Sequence, residues 1–427
     1  MTNRAMSDSN VKWIGDIPNN WSVEPIGKLF TERNTKVSDL DFPPLSVTKK
    51  GIVPQLENAA KSKNHNDRKQ VNSGDFVINS RSDRKMSSGL SSLDGSVSLI
   101  NIVLTSKSVF PGYTKYLLKN YGFAEEFYRW GTGIVADLWS TRYERMKRIL
   151  VPYPSYEEQQ KIATFLDEKV AHIDNIIEDT KKSIENLKAY KQSLITETVT
   201  KGLDPNVEMK DSGIDWVGKI PKHWMLRKIK HLTSKIGSGK TPRGGGNIYS
   251  NEGILFLRSQ NIYETGLYLE NATYISPEID DSMKSTRVYS NDVLLNITGG
   301  SIGRACVYPQ YIETHANVNQ HVCILRPIQE YTHPSYLFYY LISHVGRNYI
   351  RYYQTGGNRE GLNFEQIGNF AIPSFSIHEQ TKIVNYLDEK TSQVDQIVNQ
   401  QKQLVKEFES YKRSIIYEYV TGKKEVK

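Results

Sequence analysis

The chain has 427 residues, too many for one ordinary domain, so two or three are expected. Hydrophobic residues make up 38% and charged residues 24%, the balance of a folded soluble chain; no run approaches the roughly 18 apolar residues of a membrane span. The net charge is +8, and two cysteines, Cys306 and Cys323, exclude a disulfide framework; with no apolar leader after Met1, a cytoplasmic protein is expected.

In chain order, the first landmark is Trp13-Ile14-Gly15-Asp16-Ile17-Pro18-Asn19-Asn20-Trp21. Turn signals follow at Pro43-Pro44, Lys50-Gly51, Ser73-Gly74-Asp75 and Asp94-Gly95. They bracket strand-like runs, Phe76-Val77-Ile78 and Ser98-Leu99-Ile100, and a helical pattern closes the segment around 113–128. Residues 1–157 are read as a first α/β globule. Residues 158–207 read as one long helix, with apolar positions Ile173, Ile177, Ile184, Leu187 and Leu194 at coiled-coil spacing. From Gln159 to Thr200 such a helix is about 63 Å long, too long to bury its seam alone.

The pattern then restarts. Trp216-Val217-Gly218-Lys219-Ile220-Pro221-Lys222-His223-Trp224 repeats the first landmark 203 residues on. Strand-like runs at Ile254-Leu255-Phe256-Leu257 and Val293-Leu294-Leu295 and a helical pattern around 335–353 make residues 208–378 a second globule. Residues 379–427 repeat the long helix 221 residues on: Glu158-Gln159 returns as Glu379-Gln380, and Leu166-Asp167-Glu168-Lys169 as Leu387-Asp388-Glu389-Lys390. The seam recurs at Val394, Val398, Val405, Phe408 and Ile415, and both copies break it at matching polar positions, Thr180 with Gln401 and Lys191 with Lys412. This is an internal duplication. Outside the tryptophan motif the globule interiors show only loose similarity. The expected fold is α+β: two α/β globules separated by two long helices that pair as an antiparallel coiled coil, with an internal pseudo-twofold repeat.

The positive excess lies on the globules, with residues 22–157 at net +6 and residues 225–378 at net +3. In the first it concentrates in three loops, Lys49-Lys50, Lys61 to Lys69, and the stretch that carries Arg81, Arg84 and Lys85, with Asn79 beside it. The second uses arginine, including Arg243, Arg258, Arg304 and Arg359. Arginine can bond guanine, and asparagine or glutamine adenine, through two hydrogen bonds each. Solvated loops have the same composition, so charge alone leaves DNA binding open.

Catalytic motifs fail on inspection. Gly237-Ser238-Gly239-Lys240-Thr241 suggests a phosphate loop, but Ser234 stands where its first glycine belongs and Pro242 follows. The histidines include no His-Glu-x-x-His, and Asp167-Glu168-Lys169 reads as a solvated helix face. The sequence therefore offers no catalytic residue, metal site or cofactor. Two other classes are weighed against a DNA reader: a methyltransferase or nuclease with its own site, and a coiled-coil adaptor that never touches DNA.

The duplicated Trp-x-Gly-x-Ile-Pro-x-x-Trp and Glu-Gln…Leu-Asp-Glu-Lys motifs resemble those of specificity subunits of type I restriction–modification enzymes. So do Ser238-Gly239-Lys240-Thr241-Pro242, Arg258-Ser259-Gln260-Asn261, Thr298-Gly299-Gly300-Ser301-Ile302-Gly303-Arg304 and Asn317-Val318-Asn319-Gln320-His321. The resemblance implies two target-recognition domains on double-stranded DNA and a helical spacer, with no enzymatic activity of the chain's own. Its implied partners are two modification (methyltransferase) subunits and ATP-dependent restriction subunits. It adds Ser238, Lys240, Thr241, Gln260, Asn261, Thr298, Asn317, Asn319 and Gln320 to the DNA-binding candidates. If the first helix is a ruler, four residues inserted near Thr198 lengthen the spacer by one base pair.

Overall fold

A computed structural model describes residues 4–57, 65–133, 139–242, 244, 248–312, 314–354 and 361–426. By internal contacts the chain forms two compact units, Met1–Lys181 with Lys402–Lys427, and Lys182–Gln401. Each unit therefore takes one globule and half of each long helix. The sequence reading divides the chain at the ends of the helices; contacts divide it in their middle.

The reason is the docking of each globule onto its helices, made from the repeated motifs. In the first unit Trp21 Nε1 donates to Glu158 Oε2 (2.8 Å), and Gln159 Oε1 accepts from Phe110 N (2.8 Å). Tyr113 donates to the carbonyl of Val420 (3.0 Å) and Tyr116 to Asp167 (2.5 Å). In the second unit Trp224 Nε1 donates to Glu379 Oε1 (3.1 Å), and Gln380 Oε1 accepts from His333 N (2.8 Å). Tyr336 donates to the carbonyl of Val199 (3.1 Å) and Tyr339 to Asp388 (2.6 Å). Asp167 and Asp388 lie on the exposed helix face that the sequence suggests, and each also accepts a hydrogen bond from the edge of a buried tyrosine. Each helix ends in a left-handed glycine set under a tryptophan: Gly202 (φ +76°) lies below Trp224, and Gly422 (φ +72°) below Trp21. A side chain at Gly422 would overlap Pro18 at 2.4 Å and press on Trp21 at 3.1 Å, so the close approach of the motif requires glycine there.

The long helices run Tyr156–Lys201 and Ile377–Val420. In the first unit they are antiparallel, with Asp174 beside Lys412 and Lys181 facing Glu409, over buried Ile173, Ile177, Val405 and Ile415. In the second unit Gln401 Nε2 reaches Ser183 Oγ (3.0 Å) and Lys191 pairs with Asp395 (2.6 Å), over Ile184, Leu187, Val394 and Val398. The polar breaks in the seam thus carry hydrogen bonds between helices, which fix their register. Thr180 instead bonds back to the Ile176 carbonyl of its own helix.

Both globules are built on a four-stranded antiparallel sheet of the same order. In the first, strands 88–90, 76–79, 101–106 and 30–32 lie side by side; in the second, 305–307, 293–296, 322–327 and 233–238 do. Alternate side chains of the central strands serve two cores, because successive residues point to opposite faces. Phe76 and Ile78 enter the larger core and Val77 the smaller; Val293 and Leu295 divide from Leu294 in the same way. Each sheet starts from a turn that places a buried aspartate against an arginine: Asp75 with Arg33 (2.7 Å), and Asp292 with Arg326 (2.7 Å). The run Ser98-Leu99-Ile100 is not a strand: Gly95–Ser98 ends there, and Leu99-Ile100 turns into Asn101–Ser106. Each expected helical stretch is two helices, broken at Asn120 (Pro111–Leu117, Tyr121–Arg129) and at Ser343 (Pro334–Ile342, His344–Gln354). Among the described residues, no helix is long and apolar enough to cross a membrane.

Candidate nucleic-acid interface

In the first globule, the hairpin of Leu45–Thr48 and Gly51–Pro54 carries Lys49 and Lys50 exposed at its tip. Thr48 shapes that tip, donating from Oγ1 to Gly51 O (2.9 Å) and accepting from Lys50 N (3.1 Å). A second loop leaves the sheet at Asn79, whose Oδ1 accepts from Arg81 N (3.0 Å) and so is spent on the backbone turn. Arg81 and Arg84 are exposed beyond it, with Arg84 3.5 Å from Asp83. Lys85 is paired with Glu125, whose carboxyl lies below the usual range chiefly through that hydrogen bond. Lys85 therefore ties the loop to the helix Tyr121–Arg129 and is less free than its neighbours.

The second globule brings separate stretches of sequence onto one surface. Ser238-Gly239-Lys240 lies against residues 318–322: Lys240 N donates to Val318 O (3.2 Å), and a Cβ on Gly239 would sit 1.5 Å from that oxygen. Only glycine permits this approach. Thr241 Oγ1 then bonds Gln320 Oε1; Gln320 Nε2 lies 3.1 Å from His321 Nε2, and His321 Nδ1 lies 2.6 Å from Thr298 Oγ1. Nearby, Asn296 Nδ2 binds Ser259 O (2.8 Å) and Ser301 Oγ (3.1 Å), joining the Gln260 loop to the Arg304 loop. Gln260 is exposed, as is Lys240, which has no ion pair among the described residues. The Arg304 guanidinium sits 4.8 Å from the Tyr263 ring centre, and that of Arg258 5.8 Å from Tyr249.

Three candidates are corrected. Asn261 is buried, its Oδ1 accepting from Arg258 N (2.9 Å) and its Nδ2 donating to Tyr268 O (2.9 Å). Asn317 is buried between Thr286 (2.5 Å) and Asp280. Asn319 is buried and holds His321 N (3.1 Å). Their hydrogen bonds form the loops, leaving Asn261 and Asn317 no amide group to offer a base. Arg243 and Arg359 lie outside the described residues. Spacing alone does not single out His321, the middle link of the surface network; its place in the Asn-Val-Asn-Gln-His run is the available signal.

Beneath this surface Asp280 accepts from Arg287 Nε (2.9 Å), His315 Nε2 (2.9 Å) and Asn317. Burial pushes its carboxyl up, but the Arg287 and His315 hydrogen bonds outweigh burial and hold it below the usual carboxylate range. A depressed folded pKa stabilises above the unfolded value of about 4, and that stabilisation is lost as pH falls through the folded value. The second unit's Tm is therefore expected to fall on acidification below about pH 4, and Asp280→Asn to flatten that dependence. Thermal melts across this range check it; an unchanged slope in the variant contradicts it.

Comparison with known proteins gives a consistent likeness. The type I restriction modification DNA specificity domain matches residues 221–407. The EcoBI specificity subunit of Escherichia coli is 27% identical over 258 residues, covering 59% of this chain and 53% of that one, about half its length. A putative MjaX specificity subunit of Methanocaldococcus jannaschii is 22% identical over 97% of this chain and 96% of its own. The fold is shared with a chain from a study of complex assembly and conformational transition in the type I R-M system (TM-score 0.73, 15% identity, covering 95% of this chain and 98% of that one). It is also shared with the HsdS subunit of Thermoanaerobacter tengcongensis (TM-score 0.54, 16% identity, the same coverages). The match over residues 221–407 and the curated relatives make the chain similar to specificity subunits of type I restriction–modification enzymes, and its fold is shared with an HsdS subunit.

Proposed function

We propose that the chain is the DNA sequence-recognition subunit of a type I restriction–modification complex and performs no catalysis itself. Each globule reads one half of a split, asymmetric site. The two helices form the antiparallel coiled coil that sets the spacer and docks two adenine-methyltransferase subunits; restriction subunits join that assembly. The observation that carries this reading is the second globule's network from Thr241 through Gln320 and His321 to Thr298, beside free Lys240 and exposed Gln260. Prealigned polar side chains next to a cation suit a base edge flanked by phosphate. Two globules with the same sheet order and different loops suit two half-sites of different sequence, as two-fold related readers address opposite strands.

The test is to co-express the chain with a modification subunit and map methylated adenines. A split motif with one methylated adenine on each strand is expected. Methyl transfer by the purified chain alone, or a contiguous motif, overturns the reading.

The same mapping examines the ruler. Four added residues lengthen a helix by about 6 Å and rotate it by roughly 40° beyond a full turn. One base pair adds about 3.4 Å and, at about 10.5 base pairs per turn, roughly 34°. Near Thr198 the insertion fails for a local reason: Thr198 is buried, and the adjoining Val199 carbonyl is held by Tyr336. Displacing that turn undoes docking within the second unit, so lost stability is expected there. The ruler insertion belongs where both helices pass between units, after Lys181 and after Gln401 together. With that paired insertion a spacer longer by one base pair is expected; an unchanged spacer excludes the ruler.

A further inference from the structure

The first unit contains a basic cleft that runs from the recognition hairpin's tip, Lys49 and Lys50, to side chains outside the recognition loops. Its volume is about 690 Å³, and it is lined by the hairpin tip, the end of the helix Pro111–Leu117 and both long helices. Six cations face it: Lys49, Lys50, Lys115, Lys119, Lys412 and Arg413. Asp174 is the acidic residue among its lining side chains and is taken by Lys412; Lys115 is paired with Asp167 (2.5 Å). Lys49, Lys50, Lys119 and Arg413 have no side-chain partner among the described residues. Lys119 is half-buried, and burial with the nearby Lys412 charge pushes its ammonium down from the ordinary lysine value. Holding unpaired like charges together costs free energy, which an anion in the cleft would relieve.

The fold does not demand these charges, and the duplication supplies the control. Tyr113 and Tyr116 correspond to Tyr336 and Tyr339, so Lys115 and Lys119 correspond to Phe338 and Ile342. Lys412 corresponds to Lys191, which makes the matching ion pair to Asp395, and Arg413 to Gln192. The second unit thus keeps the lysine–aspartate pair and has neutral residues at the other three positions.

We propose that this cleft grips the sugar–phosphate backbone of duplex DNA without reading bases, and that only the first unit has such a grip. The proposal rests on the DNA-recognition reading above. The cations come from three separate elements around a cleft of about 690 Å³, and so many charges spread over separate elements suit a polyanion better than a single small anion. Lys115, Lys119, Lys412 and Arg413 thereby become DNA-contact residues outside the recognition loops.

The test is Lys115→Phe/Lys119→Ile/Arg413→Gln, which installs the second unit's residues, in the full chain. Binding to a random-sequence duplex of about 40 base pairs is measured across salt concentrations; each lost phosphate contact lowers the slope of log affinity against log salt by about 0.9. The expected slope is smaller by about 2.7, so a rise from about 50 to about 200 mM salt weakens the wild type roughly 40-fold more than the variant. A charge-keeping variant, Lys115→Arg/Lys119→Arg/Arg413→Lys, should retain the wild-type slope; a matching loss there assigns the effect to folding and overturns the proposal. An unchanged slope in the neutral variant overturns it as well. If that variant instead loses co-purification with the modification subunit, the cleft takes an acidic protein surface. Absence of salt-dependent binding by the wild-type chain sinks the DNA-recognition reading along with the cleft.

Discussion

Truncation after Arg413 is expected to unfold the first unit while the second stays folded. The removed residues, 414–427, finish the core of a globule that begins some four hundred residues earlier in the chain. Ile415 and Val420 are buried in that core, and Tyr419 packs its ring 4.5 Å from that of Phe165. Tyr417 donates to the carbonyls of Trp13 (3.1 Å) and Ile14 (3.0 Å), while Lys423 donates to those of Ile14 (2.7 Å) and Asp16 (3.0 Å). Tyr113 would lose its buried acceptor, the Val420 carbonyl. Cutting one buried isoleucine to alanine costs about 2–5 kcal/mol. Removing two aliphatic side chains together with these hydrogen bonds reaches about 5–10 kcal/mol, the whole stability of an ordinary domain. Limited proteolysis read by mass spectrometry checks this: cleavage should concentrate in residues 4–181 and spare 182–401. Equal protection of both units in the truncated chain would show that the C-terminal segment is dispensable.

Exchange of the second globule for that of a related chain is expected to change one half-site completely and leave the other intact. The structure sets the boundaries of that exchange. Met225–Lys228 pairs antiparallel with Ala371–Ser374, Met225 opposite Ser374, so both ends of the transplanted piece lie on neighbouring strands and move together. Just outside them Trp224 stacks on Phe375, with ring centres 3.8 Å apart and planes within 8°. An exchange of residues 225–378 replaces one half of that stack, whereas residues 225–374 leave it whole. The shorter exchange should fold with wild-type stability. Its affinity for the original site should fall by roughly a thousandfold or more toward non-specific binding, since that is the usual gap between the two modes. Methylation mapping with a modification subunit reads both half-sites at once; a simultaneous change in both would mean that the globules do not read independently.

The duplication, the two long helices and their apolar seams were legible in the sequence, because helical periodicity is local and a repeat needs no tertiary knowledge. Ile173, Ile177, Val394 and Val398 are buried as their spacing predicts. The repeated Trp and Glu-Gln motifs were visible as patterns, but their purpose was not. Trp21 meets Glu158 across 137 residues and Tyr113 meets Val420 across 307, and no local pattern encodes such partners. The same limit applies to the globules. Their shared sheet order escaped the sequence because a strand needs only alternating apolar residues, which many sequences supply. The candidate surface divides along that line too. Exposed Lys240 and Gln260 could be named from residue type and motif. Burial sent Asn261 and Asn317 inside, because an amide that bonds both its ends to neighbouring loops is worth more as scaffold than as a reader. The sequence by itself determined which segments repeat and which are helical; only the tertiary structure decided where the units divide, since the chain's last residues complete the core of its first globule.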